Sequence, residues 1–311
     1  MPARSRALWA DLALAAVAVA WGATFPVAKA ILEVVPAFWY LAVRFAVASC
    51  VLWPLAWKHF PRPFAFRVRG GLDHPGRPPL EGFFRETLLA GLALSAGYGL
   101  QTLGLRQTGA AHAAFLTGLF VVLTPVFASL VGRRPGGWEW LGVGLGTAGL
   151  CLLVGGVSRL GMAEVLLLGC AAAFALHILC VDAAARHGPV VVLGALQVGV
   201  ATAVLAGFAA TEPFPSTASL QEWAAVAGMG VVTTAAAFLV QSWAQRFTPP
   251  AHVALALTVE PVTAALLARW WLGELLTPAQ GVGAGLILAG ILAAQLRPGG
   301  APAGLEAAAG R

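Results

Sequence analysis

The chain has 311 residues, of which 59% are hydrophobic and only 10% charged, with a net charge of +6. A soluble domain carries about 25% charged residues, so this composition cannot coat a globule with polar surface and excludes a water-soluble enzyme. The four cysteines show no CxxC spacing and lie inside apolar stretches, where they read as packing residues, with no metal site or disulfide expected.

A spanning helix needs about 20 mainly apolar residues, and such stretches recur from end to end. Residues 1–30 place Arg4 and Arg6 ahead of an apolar run, as a signal peptide does, but a related segment later in the chain assigns Leu8–Leu32 to the fold as the first helix. Trp21-Gly22 falls near its middle and Lys29 near its end. Phe38–Trp57, after Pro36, is the second helix and carries Arg44. Lys58–Arg85 is rich in Arg, Pro and Gly and predicts a long cytoplasmic loop. Thr87–Leu105 and Gln107–Gly132 predict a tight helical hairpin around Arg106–Gly109, and Trp140–Ser158 the fifth helix. Met162–Ala183 and Gly188–Thr211 follow as helices six and seven. Trp223–Gln245 and Ala251–Trp271 predict a second hairpin around Arg246–Pro249, and Leu275–Leu296 the last helix. The tail, residues 297–311, is rich in Gly, Ala and Pro and is expected to be disordered. The fold class is therefore an all-α polytopic membrane protein with ten transmembrane helices.

With the N-terminus in the cytoplasm, fourteen Lys and Arg fall on inner segments and four on outer ones, with Arg44 inside the membrane. This is the positive-inside bias, and it places both termini in the cytoplasm. The basic balance thus reflects topology and contact with membrane lipid, and no nucleic-acid partner is expected.

The chain overlays on itself. A shift of 153 superposes Pro36 on Pro189 and Ala48–Leu52 (ASCVL) on Ala201–Leu205 (ATAVL). A shift of 140 superposes Leu100–Ala114 on Val240–Ala254, so that Gln101 and His112 coincide with Gln241 and His252. A shift of 141 superposes Gly142, Gly144 and Gly149 on Gly283, Gly285 and Gly290. Residues 1–157 and 158–296 then hold five helices each, and an odd number forces the halves into opposite orientations. Inverted repeats are common in secondary transporters, with the binding site near the midplane between halves.

Glu260 is the first candidate site residue. It sits about ten residues into the ninth helix, roughly 15 Å deep, and an intramembrane acid is a functional hypothesis by default. Pro261 behind it kinks the helix and leaves a carbonyl free near Leu257. The plainer reading is a structural acid, held by a basic partner or protonated. Lys29 and Arg44 are candidates to pair with an acid or a substrate carboxylate, although Lys29 is close enough to a helix end to snorkel. Gln101 with His112, and Gln241 with His252, flank the two hairpin turns symmetrically, which predicts a hydrogen bond across each hairpin or a role in gating. His177 lies opposite Thr24 in the overlay. Trp21, Tyr98 and Trp243 are candidates to line a cavity or to face lipid. Gly142-x-x-x-Gly146 and Gly281-x-x-x-Gly285 predict close helix contact, within the chain or across a homodimer.

Several motifs resemble the EamA-type family of drug/metabolite transporters. Trp21–Phe25 with Lys29 is similar to that family's first helix, Pro36 with Arg44 to its second, Tyr98–Leu105 to its third and Phe115–Pro125 to its fourth. Glu260-Pro261-Val262, Leu272-Gly273-Glu274 and Thr277-Pro278 resemble the end of its second repeat. Gly132-Arg133-Arg134 departs from the Gly-Glu often found there, and the loop after the second helix is unusually long. The resemblance implies export of small metabolites such as amino acids, with no cofactor, in a bacterial inner membrane. An intramembrane enzyme is the competing class, but HExxH and GxSxG are absent and no nucleotide-binding signature occurs. A non-transporting receptor or assembly protein is disfavoured by the inverted overlay.

Overall fold

The computed structural model describes residues 3–60, 80–130, 137–154, 160–185, 187–247, 253, 256–257 and 259–295. Among these every regular element is helical. The helices are α1 (Ala3–Ile31), α2 (Ala37–Trp57), α3 (Leu80–Gln107), α4 (Ala110–Gly118), α5 (Phe120–Leu130) and α6 (Gly137–Val154). They continue as α7 (Met162–Ala185), α8 (Val190–Ala209), α9 (Leu220–Met229), α10 (Ala237–Ala244), α11 (Val259–Leu267) and α12 (Pro278–Gln295). A π-helical segment, Gly230–Ala236, joins α9 to α10, and a second, Ala268–Leu272, extends α11.

Among the described residues, seven stretches are long and apolar enough to cross a membrane: Leu12–Ile31, Ala37–Trp57, Gly82–Gln107, Ala110–Leu130, Met162–Ala185, Val190–Ala209 and Leu220–Ala244. The expected fifth, ninth and tenth spans fall on α6, α11 and α12, of which Trp140–Leu152 is apolar but short. Trp57, Leu130, Leu220 and Trp270 are more than three-quarters exposed. Lipid, not water, is the solvent such a surface suits.

Two boundaries differ from expectation for one reason. The apolar run of the third span begins at Thr87, yet α3 starts at Leu80 and takes in charged residues assigned to the preceding loop. The first helix likewise starts at Ala3, ahead of both arginines. Hydropathy marks where a helix enters lipid, whereas Arg and Glu are good helix formers that carry it on into water. Most of the expected loop, residues 61–79, and the tail lie outside the described residues.

α1 packs on α11 and α10, α2 on α8 and the Gly230–Ala236 segment, α3 on α7 and α8, α4 and α5 on α7, and α6 on α12. The α6–α12 seam uses the glycine runs. A Cβ on Gly149 would lie 2.5 Å from the Gly283 carbonyl oxygen, and one on Gly290 would lie 2.7 Å from that of Gly142. These runs therefore serve a contact within the chain. After α11 the chain turns at Gly273, whose φ of +67° suits a residue without a Cβ.

Candidate functional site

Glu260 occupies the first turn of α11, just before Pro261. Its depth in the bundle depends on Gly22 of α1. A Cβ there would come within 2.5 Å of the Glu260 carbonyl oxygen and 2.7 Å of Thr263 Cβ. Only a glycine lets the two backbones meet this closely. Trp21, the neighbour of Gly22, fixes the other side of α1, since its indole Nε1 donates to the Thr233 carbonyl at 2.8 Å. The Trp21-Gly22 pair thus ties α1 to the π-helical segment on one face and to the helix of Glu260 on the other.

Between these elements lies a cavity of about 450 Å³, a figure that takes in the space open at its mouth. Its polar lining comes from Thr24, Gln101, His177, Gln241 and Glu260, and its aromatic wall from Trp21, Phe25, Tyr98, Phe120, Phe174 and Phe238. The aromatic rings interlock. Tyr98 meets Phe45, Phe174 and Phe238 edge to face with centroids 5.0, 5.4 and 6.2 Å apart, and Trp21 tilts against Phe238 at 5.4 Å. Rigid rings give the cavity a shape that survives when it is empty. Glu260 is only 6% exposed, and among the described residues its carboxyl group has no hydrogen-bond or ionic partner. A buried polar group without a partner is costly, so an arrangement of this kind is completed by a ligand, a cation or a proton.

Arg44 does not reach the cavity. It stands behind Tyr98, buried, with Nε donating to Thr234 Oγ1 at 2.8 Å and Nη1 to the Tyr40 hydroxyl at 2.9 Å. Nη2 donates to Thr233 Oγ1 at 3.1 Å, to the Thr233 carbonyl at 3.4 Å and to the Tyr98 hydroxyl at 3.5 Å. The guanidinium carbon also sits 4.9 Å from the Tyr98 ring centroid. Every partner is neutral, so the expected pairing with an acid or a substrate carboxylate is not what the structure shows. The π-helical turn is what makes this possible, because its wider winding presents Thr233 and Thr234 together toward α2.

Lys29 is also elsewhere. Its Nζ donates to the carbonyls of Leu105, Arg106 and Thr108 at 2.9, 3.2 and 2.8 Å, closing the C-terminal end of α3. On the other side of the same turn, the Glu274 carboxylate accepts from the backbone N–H groups of Ala110 and Ala111 at 2.8 and 3.1 Å, closing the start of α4. A cation on unpaired carbonyls and an anion on unpaired amides each complement the helix dipole.

The expected bond across this hairpin is not made. Gln101 lines the cavity, and His112 instead lies 3.2 Å from Glu164 at the start of α7. The turn is centred on Thr108-Gly109, not earlier, so Gln101 is six residues before the end of α3 while His112 is two residues into α4. That offset of four residues is about 6 Å along the axis, too far for a side-chain bond. Gln241 lines the cavity as Gln101 does, whereas His252 lies outside the described residues. Trp243 is half-buried beside Phe247, away from the cavity. His177 does line it, and its Nε2 shares a hydrogen bond of 2.8 Å with Gln197 Oε1, whose Nε2 donates to Ser242 at 3.4 Å.

Of the candidates named from the sequence, the structure brings Glu260, Trp21, Tyr98, His177, Gln101 and Gln241 to one cavity, Gln101 without its expected bond to His112. It misses Thr24, Phe120, Phe174 and Phe238 as lining, and Gln197 and Ser242 as support for His177. The available signal for Gln197 was an amide inside an otherwise apolar span; a phenylalanine gives none. Among the described residues no group of three or more His, Cys, Asp or Glu gathers as a metal site.

Comparison with known proteins agrees with this architecture. The model of the EamA-like transporter family matches residues 8–155 and 161–294. An uncharacterized transporter of Archaeoglobus fulgidus is 31% identical over 299 residues, covering 93% of this chain and 87% of the relative. A second uncharacterized transporter of the same organism is 26% identical over 191 residues, covering 61% of this chain and 68% of its own. One solved crystal structure shares the fold, with a TM-score of 0.64 at 21% identity, over 92% of this chain and 96% of that one. The chain belongs to the EamA-like transporter family.

Proposed function

We propose that this protein is a secondary transporter that moves small metabolites outward across a bacterial inner membrane by alternating access. The two moving bodies are residues 1–157 and 158–296, five membrane helices each and inverted with respect to one another. Both termini face the cytoplasm. The observation that carries the reading is the cavity, whose walls come from α1, α3 and α5 of one half and α7, α10 and α11 of the other, with an acid among them that has no partner among the described residues.

Three features support the inversion. Ser49 and Thr202 superpose under the 153-residue shift, and their hydroxyls lie 2.8 Å apart. Equivalent residues meet in this way at a twofold axis. The α6–α12 seam is reciprocal, since Gly149 faces Gly283 while their counterparts Gly290 and Gly142 face each other. The neighbours repeat as well. α1 against α11 and α10 corresponds to α7 against α4–α5 and α3, and α2 against the π-helical segment corresponds to α8 against α3.

Counterflow of labelled metabolites in proteoliposomes tests the reading. Wild type exchanges at least one of a broad panel, and Glu260→Gln loses about tenfold or more of that exchange, the scale of one charge-assisted contact. No exchange of any metabolite by the folded wild type rejects transport. Unimpaired exchange by the variant removes Glu260 from the mechanism.

A further inference from the structure

Resting on the transporter reading, we infer that the cavity takes an amphipathic organic cation, an amine or quaternary ammonium on an aromatic or aliphatic body, in preference to a zwitterionic amino acid. The charge inventory of the lining decides this. Among the described residues it contains one carboxyl group, that of Glu260, and no lysine or arginine. The two basic side chains nearest in sequence pattern are both occupied. Arg44 spends its donors on Tyr40, Tyr98, Thr233 and Thr234, and Lys29 spends its own on the end of α3.

An amino acid entering this cavity would bring a carboxylate to a place where no cation meets it and an acid already stands. A buried charge without a partner is strongly disfavoured. Removing the carboxylate from the ligand removes that cost and leaves its ammonium to meet Glu260. The remaining lining suits the rest of such a molecule. Trp21, Tyr98, Phe120, Phe174 and Phe238 offer apolar area and the electron-rich faces that attract cations. Gln101 and Gln241 offer neutral donors and acceptors on opposite sides for a hydroxyl or amide. His177 is the other titratable side chain besides Tyr98 and Glu260. Its Nε2 is held by Gln197, and the Tyr98 hydroxyl accepts from Arg44 and keeps one neutral O–H to donate, short of the full positive charge that a buried carboxylate needs.

Three ligands with one ring system test the inference directly. Tryptamine has the amine alone, tryptophan the amine and a carboxylate, and indole-3-propionate the carboxylate alone. Equilibrium binding of tritiated tryptamine to the full-length protein in lipid nanodiscs, with the other two as competitors, reads preference without requiring transport. The expected result is tryptamine binding about tenfold or more tighter than tryptophan, with no competition by indole-3-propionate. Glu260→Gln weakens tryptamine by a similar factor, while Glu260→Asp retains part of the affinity. Equal or tighter binding of tryptophan overturns the inference, as does competition by indole-3-propionate. Absence of tryptamine binding to a wild-type protein that exchanges other metabolites overturns it too and leaves transport standing. Tryptamine binding with no exchange in liposomes does the reverse. The wild-type ranking decides the matter even if a Glu260 variant fails to fold.

Discussion

Gly22 shows how a residue without a side chain can be part of a site. It touches no ligand, yet it sets the distance between α1 and the turn that carries Glu260. Gly22→Val introduces atoms into backbone that cannot yield, and overpacking of this kind costs about 1–3 kcal/mol. The expected outcome is a lowered thermal midpoint and loss of ligand binding, measured by ligand-protected unfolding in detergent. A ligand that protects the variant as well as it protects wild type contradicts the assignment. Glu260 itself was legible in the sequence because a lone acid stands out in an apolar run, where a structural and a functional acid read alike. Arg44 was visible for the same reason, but its role was not. Two of its partners, Thr233 and Thr234, lie about 190 residues away in a helical segment whose π winding leaves no mark in hydropathy. A cation buried among hydroxyls and a tyrosine face is satisfied without an acid, and only coordinates reveal that those hydroxyls converge.

At the level of elements, α6 and α12 form a seam whose two faces differ sharply. Gly149 and Gly290 meet backbone atoms of the opposite helix, whereas nothing lies within 4 Å of a Cβ placed on Gly144 or Gly285. Gly149→Val is therefore expected to separate the helices and destabilise the protein by about 1–3 kcal/mol, while Gly144→Val is neutral within about 0.5 kcal/mol. Paired melting curves of the two variants check this, and equal midpoints would argue against the seam. The glycine spacing was legible as close contact, but spacing alone does not say which of four glycines faces the partner. Element existence was likewise legible, because apolar length is a direct consequence of bilayer thickness. The hairpin was misjudged by a turn of two residues. Assuming symmetry about Arg106–Gly109 put Gln101 and His112 level with each other, and the actual turn at Thr108-Gly109 puts them at different depths.

Across the whole molecule, the internal overlay relates residues and not merely helices. Ser49 and Thr202, equivalent in the overlay, are in hydrogen-bonding contact. What the overlay does not transmit is asymmetry. Glu260 has Phe120 as its counterpart, both line the cavity, and this difference gives the cavity its single charge. At one end of the bundle Lys29 and Glu274 brace the α3–α4 turn with side chains from α1 and from the chain just past α11. Those are the two helices that hold Gly22 and Glu260 in contact.

In the alternating access proposed above, the brace sets the speed of opening at this end. Two of the Lys29 bonds join a charge to a part-buried carbonyl and the third to an exposed one, and water can replace a part-buried bond at a net cost of about 1.5–3 kcal/mol. Three such bonds broken together make a slow step in a dry bundle and a fast one once water enters, so hydration of the turn acts as the release of a catch. Lys29→Met should leave the catch unfastened. With Thr108→Cys as reporter, a membrane-impermeant maleimide is expected to label the doubly substituted protein several-fold faster than Thr108→Cys alone. Equal labelling rates would mean that this end of the molecule is held by something other than its charges.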